Sequence, residues 1–245
     1  MFQPLTVPPG AAAERDVLLA TKLSIPVAQP GFVPRPRLAE RLDEGRGLAL
    51  VCAPAGYGKT VLLADWARRG RVPVAWLSLD AGDNDPARFW RHVVAALDRA
   101  CPGIAARVSP LLGPPAPRSF EAAVTALVNE LDAQGDGDGQ LLVLDDYHVI
   151  DSAPVHASLG LLLERRPPGL HVVLASRADP PLALARLRAR GQLAEIRAAD
   201  LRFTAGEAAA LLGRLAAGPG SQLPLEAVAA LADRTEGWAV PGPAG

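Results

Sequence analysis

The octapeptide Ala53-Pro54-Ala55-Gly56-Tyr57-Gly58-Lys59-Thr60 constrains the possible folds of this chain more than any other stretch. It has the pattern of a phosphate-binding loop, with Ala53 where the general pattern has its first glycine. The apolar run Leu48-Ala49-Leu50-Val51-Cys52 precedes it, and a helix-like stretch from Lys59 to about Arg69 follows. Strand, loop and helix therefore come in the order the motif requires. Gly56 and Gly58 allow the backbone to curl until several N–H groups face one anion, and the N-terminus of the following helix adds to the attraction. Lys59 is placed to neutralise β- and γ-phosphates, and the Thr60 hydroxyl to hold a magnesium ion. Lys22 and Lys59 are the only two lysines in a chain that otherwise draws its positive charge from arginine. A compact ammonium at a phosphate site is not interchangeable with a guanidinium.

A second signal lies downstream, where Leu141-Leu142-Val143-Leu144 runs into Asp145-Asp146. A strand buried on both faces of a parallel sheet reads as a continuous apolar run, and ligands bind beyond the carboxyl ends of such strands. Asp145 then falls where a magnesium ion on a triphosphate sits. Asp146 follows it, either to orient or deprotonate an attacking water or simply to cap the next turn. A third run, His171-Val172-Val173-Leu174-Ala175-Ser176-Arg177, ends in an arginine. In the same sheet Arg177 emerges at the phosphate edge as a γ-phosphate sensor; otherwise it is one more surface arginine.

Periodicity fills in the rest. Val74 to Leu79 reads as a strand. Asp85 is an N-cap with Pro86 at the first helical position, ahead of Phe89, Trp90, Val93, Val94 and Leu97 at helical spacing. Residues 102–118 read as a proline-rich loop, followed by a helix from about Phe120 to Ala133 capped by Ser119. Residues 134–139 are loosely similar to a calcium loop but lack its terminal glutamate and spacing, and read as a linker. Helices are expected near Arg37–Glu44, Pro154–Glu164 and Leu182–Arg190. Extended pieces are expected at Ala194–Arg197 and Leu201–Phe203. Thr204 with Glu207 forms a capping box for a helix to about Leu215, and a last helix spans about Leu225 to Asp233.

Strands alternating with helices make this an α/β chain: a P-loop NTPase with a mainly parallel sheet flanked by helices, followed by the start of a helical domain. The expected division is a flexible tail over residues 1–17, a P-loop ATPase domain with an N-terminal arm over 18–203, the start of a helical domain over 204–238, and an irregular tail over 239–245. The chain is thus expected to be cut short within its second domain. Net charge is −1, which favours neither nucleic acid nor a membrane surface. Cys52 and Cys101 are the only cysteines, which points to a reducing compartment. With no secretory pattern at the N-terminus and no membrane-length apolar run, a cytoplasmic protein is expected.

Several motifs together resemble one family. They are Lys22-Leu23, Ala53 to Thr60, Trp76-Leu77-Ser78-Leu79-Asp80 with Asp83-Asn84-Asp85, and Leu144-Asp145-Asp146-Tyr147-His148. Ser176 to Pro181, Leu187 to Leu193, Leu201-Arg202-Phe203-Thr204 and Glu236-Gly237-Trp238 complete the set. The chain resembles the N-terminal ATPase region of the MalT-like, LuxR-type large ATP-binding transcription regulators, which belong to the STAND class of signal-transduction ATPases. The resemblance covers about residues 18–238, and Ala53 is common in that family. It implies an AAA-like switch that rests with ADP, exchanges it for ATP, and self-associates in the ATP state. It implies phosphate contacts from Ala53 to Thr60 and magnesium held by Thr60 and Asp145. It also implies hydrolysis supported by Asp146, a sensor role for Arg177, and an arm with Arg35 and Arg37 that closes over the nucleotide. The family's sensor and helix-turn-helix parts are not in this sequence, so no direct DNA contact is expected from this chain alone. Three readings follow: an ATP-binding switch module with slow or no hydrolysis, a P-loop enzyme with rapid turnover such as a kinase, or an inactive truncated remnant.

Overall fold

The computed structural model describes residues 20–27, 32–44, 47–70, 72–113, 119–134 and 139–215. The tail at 1–17, the linker at 135–138, the helix expected near Leu225–Asp233, Glu236-Gly237-Trp238 and residues 239–245 lie outside the described residues. Five strands form one sheet: β1 (Leu48–Cys52), β2 (Val74–Ser78), β3 (Gln140–Asp145), β4 (Leu170–Ser176) and β5 (Leu193–Arg197). Their order is β2-β3-β4-β1-β5, and every pairing is parallel. All carboxyl ends therefore share one edge. β4 lies between β1 and β3, so the strand leading to Arg177 separates the glycine loop from the two aspartates.

The apolar runs are continuous because both faces of the sheet are covered. Leu48, Leu50, Leu77, Leu142, Leu144, Val172 and Leu174 pack on one side with α3 (Pro86–Ala100), α5 (Glu121–Ala133) and α6 (Ala153–Arg165). The alternate residues Ala49, Val51, Trp76, Leu141, Val143, Val173 and Ala175 pack on the other side with α1 (Pro36–Asp43) and α2 (Lys59–Arg69). Two-residue periodicity thus survives, with two apolar layers in place of one.

The helix signals hold at most boundaries. Asp85 Oδ1 accepts from Arg88 N at 2.7 Å, with Pro86 opening α3. Thr204 and Glu207 exchange capping bonds of 2.9 and 3.2 Å at the start of α9 (Ala205–Leu215). Four expectations need correction. The stretch read as loop contains α4 (Ile104–Val108) and a 3₁₀ turn (Ser109–Leu112). Ile104, Val108 and Leu112 are all buried, and Asp98 Oδ1 accepts from Gly103 N and Ala105 N to start the helix. The prolines hide that stripe from a reading of the sequence. Ser119 bonds Glu121 N at 3.2 Å, but Phe120 is the residue that precedes the helix. The helix expected at Leu182–Arg190 is the shorter α7 (Leu184–Ala189). Leu201 ends a helical turn, α8 (Ala198–Leu201), because Asp200 accepts from Arg197 N and caps it.

Candidate nucleotide site

β1 ends at Cys52, and Ala53 N continues the ladder to Ser176 O of β4 at 3.2 Å. The chain then leaves the sheet. Gly56 (φ 83°) and Gly58 (φ 74°) both take the left-handed conformation that glycine adopts without strain. Gly58 is the residue that enters α2, and a Cβ placed on it would meet nothing within 4 Å. Space thus lies open beside the loop, while the backbone angle still requires glycine.

Lys59 is only 7% exposed. Its ammonium donates to Ala53 O at 2.8 Å and Pro54 O at 2.9 Å, folding back over the loop it follows. Burial pulls its pKa down; the nearby Asp146 and Asp145 carboxylates oppose this, and the Arg177 charge adds to it. Lys59, Asp145, Asp146 and Arg177 therefore share one electrostatic neighbourhood at the carboxyl edge, as their positions in the sequence suggested.

Asp145 closes β3 and is 2% exposed. Its Oδ1 accepts from Thr60 Oγ1 at 3.1 Å and from Asp146 N at 3.0 Å. Burial raises its pKa, and the Thr60 bond holds it down in part. A buried carboxylate touching a hydroxyl at the start of a phosphate-loop helix is a hard-oxygen pair suited to magnesium, which takes one or two protein oxygens and completes its shell with phosphate and water. Among the described residues no group of three or more His, Cys, Asp or Glu could hold a metal, so a dedicated protein cage is not what this site offers. The donor set fits a nucleotide-borne magnesium ion.

Asp146 is half exposed and takes φ 59°, ψ 36°. Arg177 is exposed just past β4. Ser176 shapes its turn, donating to Ala178 O at 2.5 Å, and an Arg197–Asp179 ion pair ties that turn to the end of β5. Of the loop residues between, Pro54 and Ala55 are exposed and Tyr57 is partly covered.

Arg35 and Arg37 lie elsewhere in bonding terms. Arg35 is buried, lies over the Phe203 ring at 4.6 Å, and donates to Arg202 O at 2.7 Å and Glu207 Oε2 at 3.3 Å. Arg37 reaches both Glu207 oxygens at 3.0 Å and also Asp200 O and Arg202 O. Among the described residues no hydrogen bond or ion pair joins either arginine to the phosphate loop. The arm approaches the loop at another point. Pro26, Val27 and Phe32 face Thr60, Val61 and Ala64 of α2 across a cavity of about 160 Å³.

Two groups escaped the sequence reading. Lys22 is buried against Asp83 (2.5 Å) and Asp80 (3.0 Å), and Asp83 is also 2.7 Å from His92. Its rarity was the available signal. His148 lies beside Asp146, with Nδ1 3.7 Å from Oδ1.

Residues 41–179, more than half of the chain, match the AAA domain family. The chain is 37% identical over 226 residues to the HTH-type transcriptional regulator MalT of Serratia proteamaculans, which covers 91% of this chain and 24% of that protein. It is 38% identical over 194 residues to the MalT of Cronobacter sakazakii, covering 78% of this chain and 21% of that protein. It therefore spans about a quarter of the length of the curated relatives it matches. Its fold is similar to that of a signal transduction ATPase with numerous domains (STAND) protein bearing a tetratricopeptide repeat sensor, from Pyrococcus horikoshii. The TM-score is 0.62 at 18% identity, over 86% of this chain and 29% of that one. A Walker-type ATPase of Pyrococcus abyssi gives 0.52 at 13% identity, over 86% and 65%.

Proposed function

The chain belongs to the AAA domain family and is MalT-like in sequence, and on that premise we propose that it is the ATP-binding switch module of a signal-transduction ATPase that regulates transcription, with slow or no hydrolysis. The observation that carries the reading is the Thr60–Asp145 contact at 3.1 Å beside the buried Lys59. Strands far apart in sequence converge there on one anion-binding loop and one pair of magnesium-type oxygens.

Placement supports the following roles in this reading. The amides from Ala53 to Thr60 and the Lys59 ammonium hold the β- and γ-phosphates. Thr60 and Asp145 hold Mg²⁺, which when bound neutralises phosphate oxygens. The cavity between the arm and α2 has Pro26, Val27 and Phe32 on one wall and Val61 and Ala64 with the polar Thr60, Asp65 and Arg68 on the other, a mix of apolar and hydrogen-bonding groups that suits the base of ATP or ADP. Arg177 senses the γ-phosphate, and Asp146 supports hydrolysis. Arg35 and Arg37 reach the nucleotide only if their bonds to Glu207 open.

Residues 18–203 form the ATPase domain in this reading, with α9 beginning a helical domain over 204–238. Self-association in the ATP state belongs to the same proposal, as does a cytoplasmic setting. DNA contact comes from parts of the regulator outside this chain. No helix among the described residues is long and apolar enough to cross a membrane. The test pairs two measurements on the purified chain: equilibrium binding of ATP and ADP with magnesium, and multiple-turnover hydrolysis. Binding of both nucleotides with turnover well below the kinase range of about 1–100 per second supports the switch. Turnover within that range refutes it in favour of an enzyme.

A further inference from the structure

Asp146 is the one non-glycine residue at positive φ among the described residues. Such a conformation is disfavoured for a residue with a side chain and persists where its surroundings over-determine it. Here they do. Asp146 N donates to Asp145 Oδ1 at 3.0 Å, Val149 N to Asp146 O at 3.1 Å, and Ile150 N to Tyr147 O at 3.1 Å. Tyr147 is buried, with its hydroxyl 2.8 Å from His156 Nδ1. The resulting 3₁₀ turn brings His148 back beside Asp146.

The geometry of that pair is specific. His148 Nδ1 lies 3.7 Å from Asp146 Oδ1, is shielded from solvent and has no hydrogen-bond partner. The distance is just beyond hydrogen-bond length, and catalytic hydrogen bonds are often this long until a ligand tightens the site. The charged groups around the ring are Asp146 on its own turn, Lys59 from α2 and Arg177 from the turn after β4. Burial, then Arg177 and Lys59, disfavours the imidazolium; Asp146 opposes them, and the net direction is down. That direction favours the neutral ring, which has one N–H and one lone pair, and whose tautomer is set by the hydrogen bond made at the other nitrogen.

We propose that Asp146 and His148 form a proton-accepting dyad: Asp146 holds His148 with Nδ1 protonated, and His148 Nε2 takes the proton of the water that attacks the γ-phosphate. The inference rests on the proposed binding of a nucleoside triphosphate. In the step, one water O–H bond breaks and its proton goes to Nε2. The water oxygen forms a bond to the γ-phosphorus, and the bond from that phosphorus to the β–γ bridging oxygen breaks. The products are nucleoside diphosphate and inorganic phosphate, and the imidazolium then returns its proton to solvent. Asp146 is a positioning residue in this scheme, in the way a buried aspartate fixes the tautomer of a catalytic histidine.

Nitrogen-15 NMR of the labelled chain at pH 7 reads the pair directly, with or without nucleotide. The chain has four histidines, and His148→Gln assigns the signal. We expect a neutral His148 that is mainly Nδ1-protonated, reverting in Asp146→Asn to the Nε2-protonated form that free histidine prefers. A wild-type His148 that is Nε2-protonated, or an imidazolium, overturns the dyad. Single-turnover hydrolysis of labelled ATP from about pH 4 to 8.5, a window that reaches well below the ordinary imidazole pKa, supplies the second readout. The wild-type rate should fall about tenfold per pH unit below the imidazole pKa. His148→Gln should be about a hundredfold slower with a flat profile, and should bind ATP within about twofold of wild type. A pH-independent wild type, or a variant at the wild-type rate, overturns the inference. Binding without any cleavage also overturns it while leaving the switch reading intact, whereas absence of binding refutes the switch reading itself.

Discussion

Asp83→Asn is expected to cost the fold about 2–3 kcal/mol at neutral pH. The Asp83 side chain is 0% exposed and accepts from Lys22 Nζ and Asp80 N, with His92 Nδ1 at 2.7 Å. Burial alone would raise its pKa; the bonds to His92, Lys22 and Asp80 N overcome this and bring it down to about 2 from its ordinary 3.8. A carboxyl with that difference between folded and unfolded states contributes about 2–3 kcal/mol above its unfolded pKa. For a chain of this size the loss corresponds to a fall in Tm of about 5–10 °C. The sign is that of a depressed acid. Its stabilisation is complete above pH 3.8 and disappears as pH falls from 3.8 towards 2, so the gap between wild type and variant should close in that window. Urea unfolding followed by circular dichroism measures it. A variant within about 0.5 kcal/mol of wild type at pH 7 would refute the reasoning, since that is the range of surface substitutions far from any special feature.

Three further perturbations address the site and its surroundings. Lys59→Ala should weaken ATP binding by about 2–3 kcal/mol, as for loss of a charge-assisted hydrogen bond, which calorimetry reads directly. Asp145→Asn should leave most magnesium-free affinity intact and remove the gain that magnesium gives, measured by titration with and without EDTA. Glu207→Ala leaves Arg35 buried without its carboxylate. It should cost about 3 kcal/mol, seen as faster hydrogen exchange confined to α9.

The site was legible where local pattern dictates it. The loop needs glycine at Gly56 and Gly58, the aspartate proposed to hold magnesium sits at the end of an apolar run, and both signals are written in consecutive residues. The capping residues Asp85 and Thr204 were readable for the same reason. Sheet order was not, because nothing local says that β4 inserts between β1 and β3. Lys22 was conspicuous, but its partner Asp83 lies 61 residues away. α4 and the 3₁₀ turn after it were obscured because their buried stripe, Ile104, Val108 and Leu112, lies among prolines and glycines that ordinarily mark loops. The His148–Asp146 approach depends on a left-handed aspartate, and sequence does not announce that conformation. Arg35 and Arg37 were expected to act at the nucleotide on family resemblance. Their present partners are Glu207 and the backbone carbonyls of Asp200 and Arg202, a choice that depends on where α9 docks.

The central claim is that Thr60 and Asp145 together define the metal end of a nucleotide site. Its most direct test is a crystal structure of the chain with ADP and Mn²⁺, phased to show the manganese by anomalous scattering. The account predicts one strong peak within about 2.5 Å of the Thr60 hydroxyl, held by Asp145 directly or through one water, with the β-phosphate against the loop amides from Ala53 to Thr60. A peak elsewhere, or diphosphate density away from that loop, would contradict it.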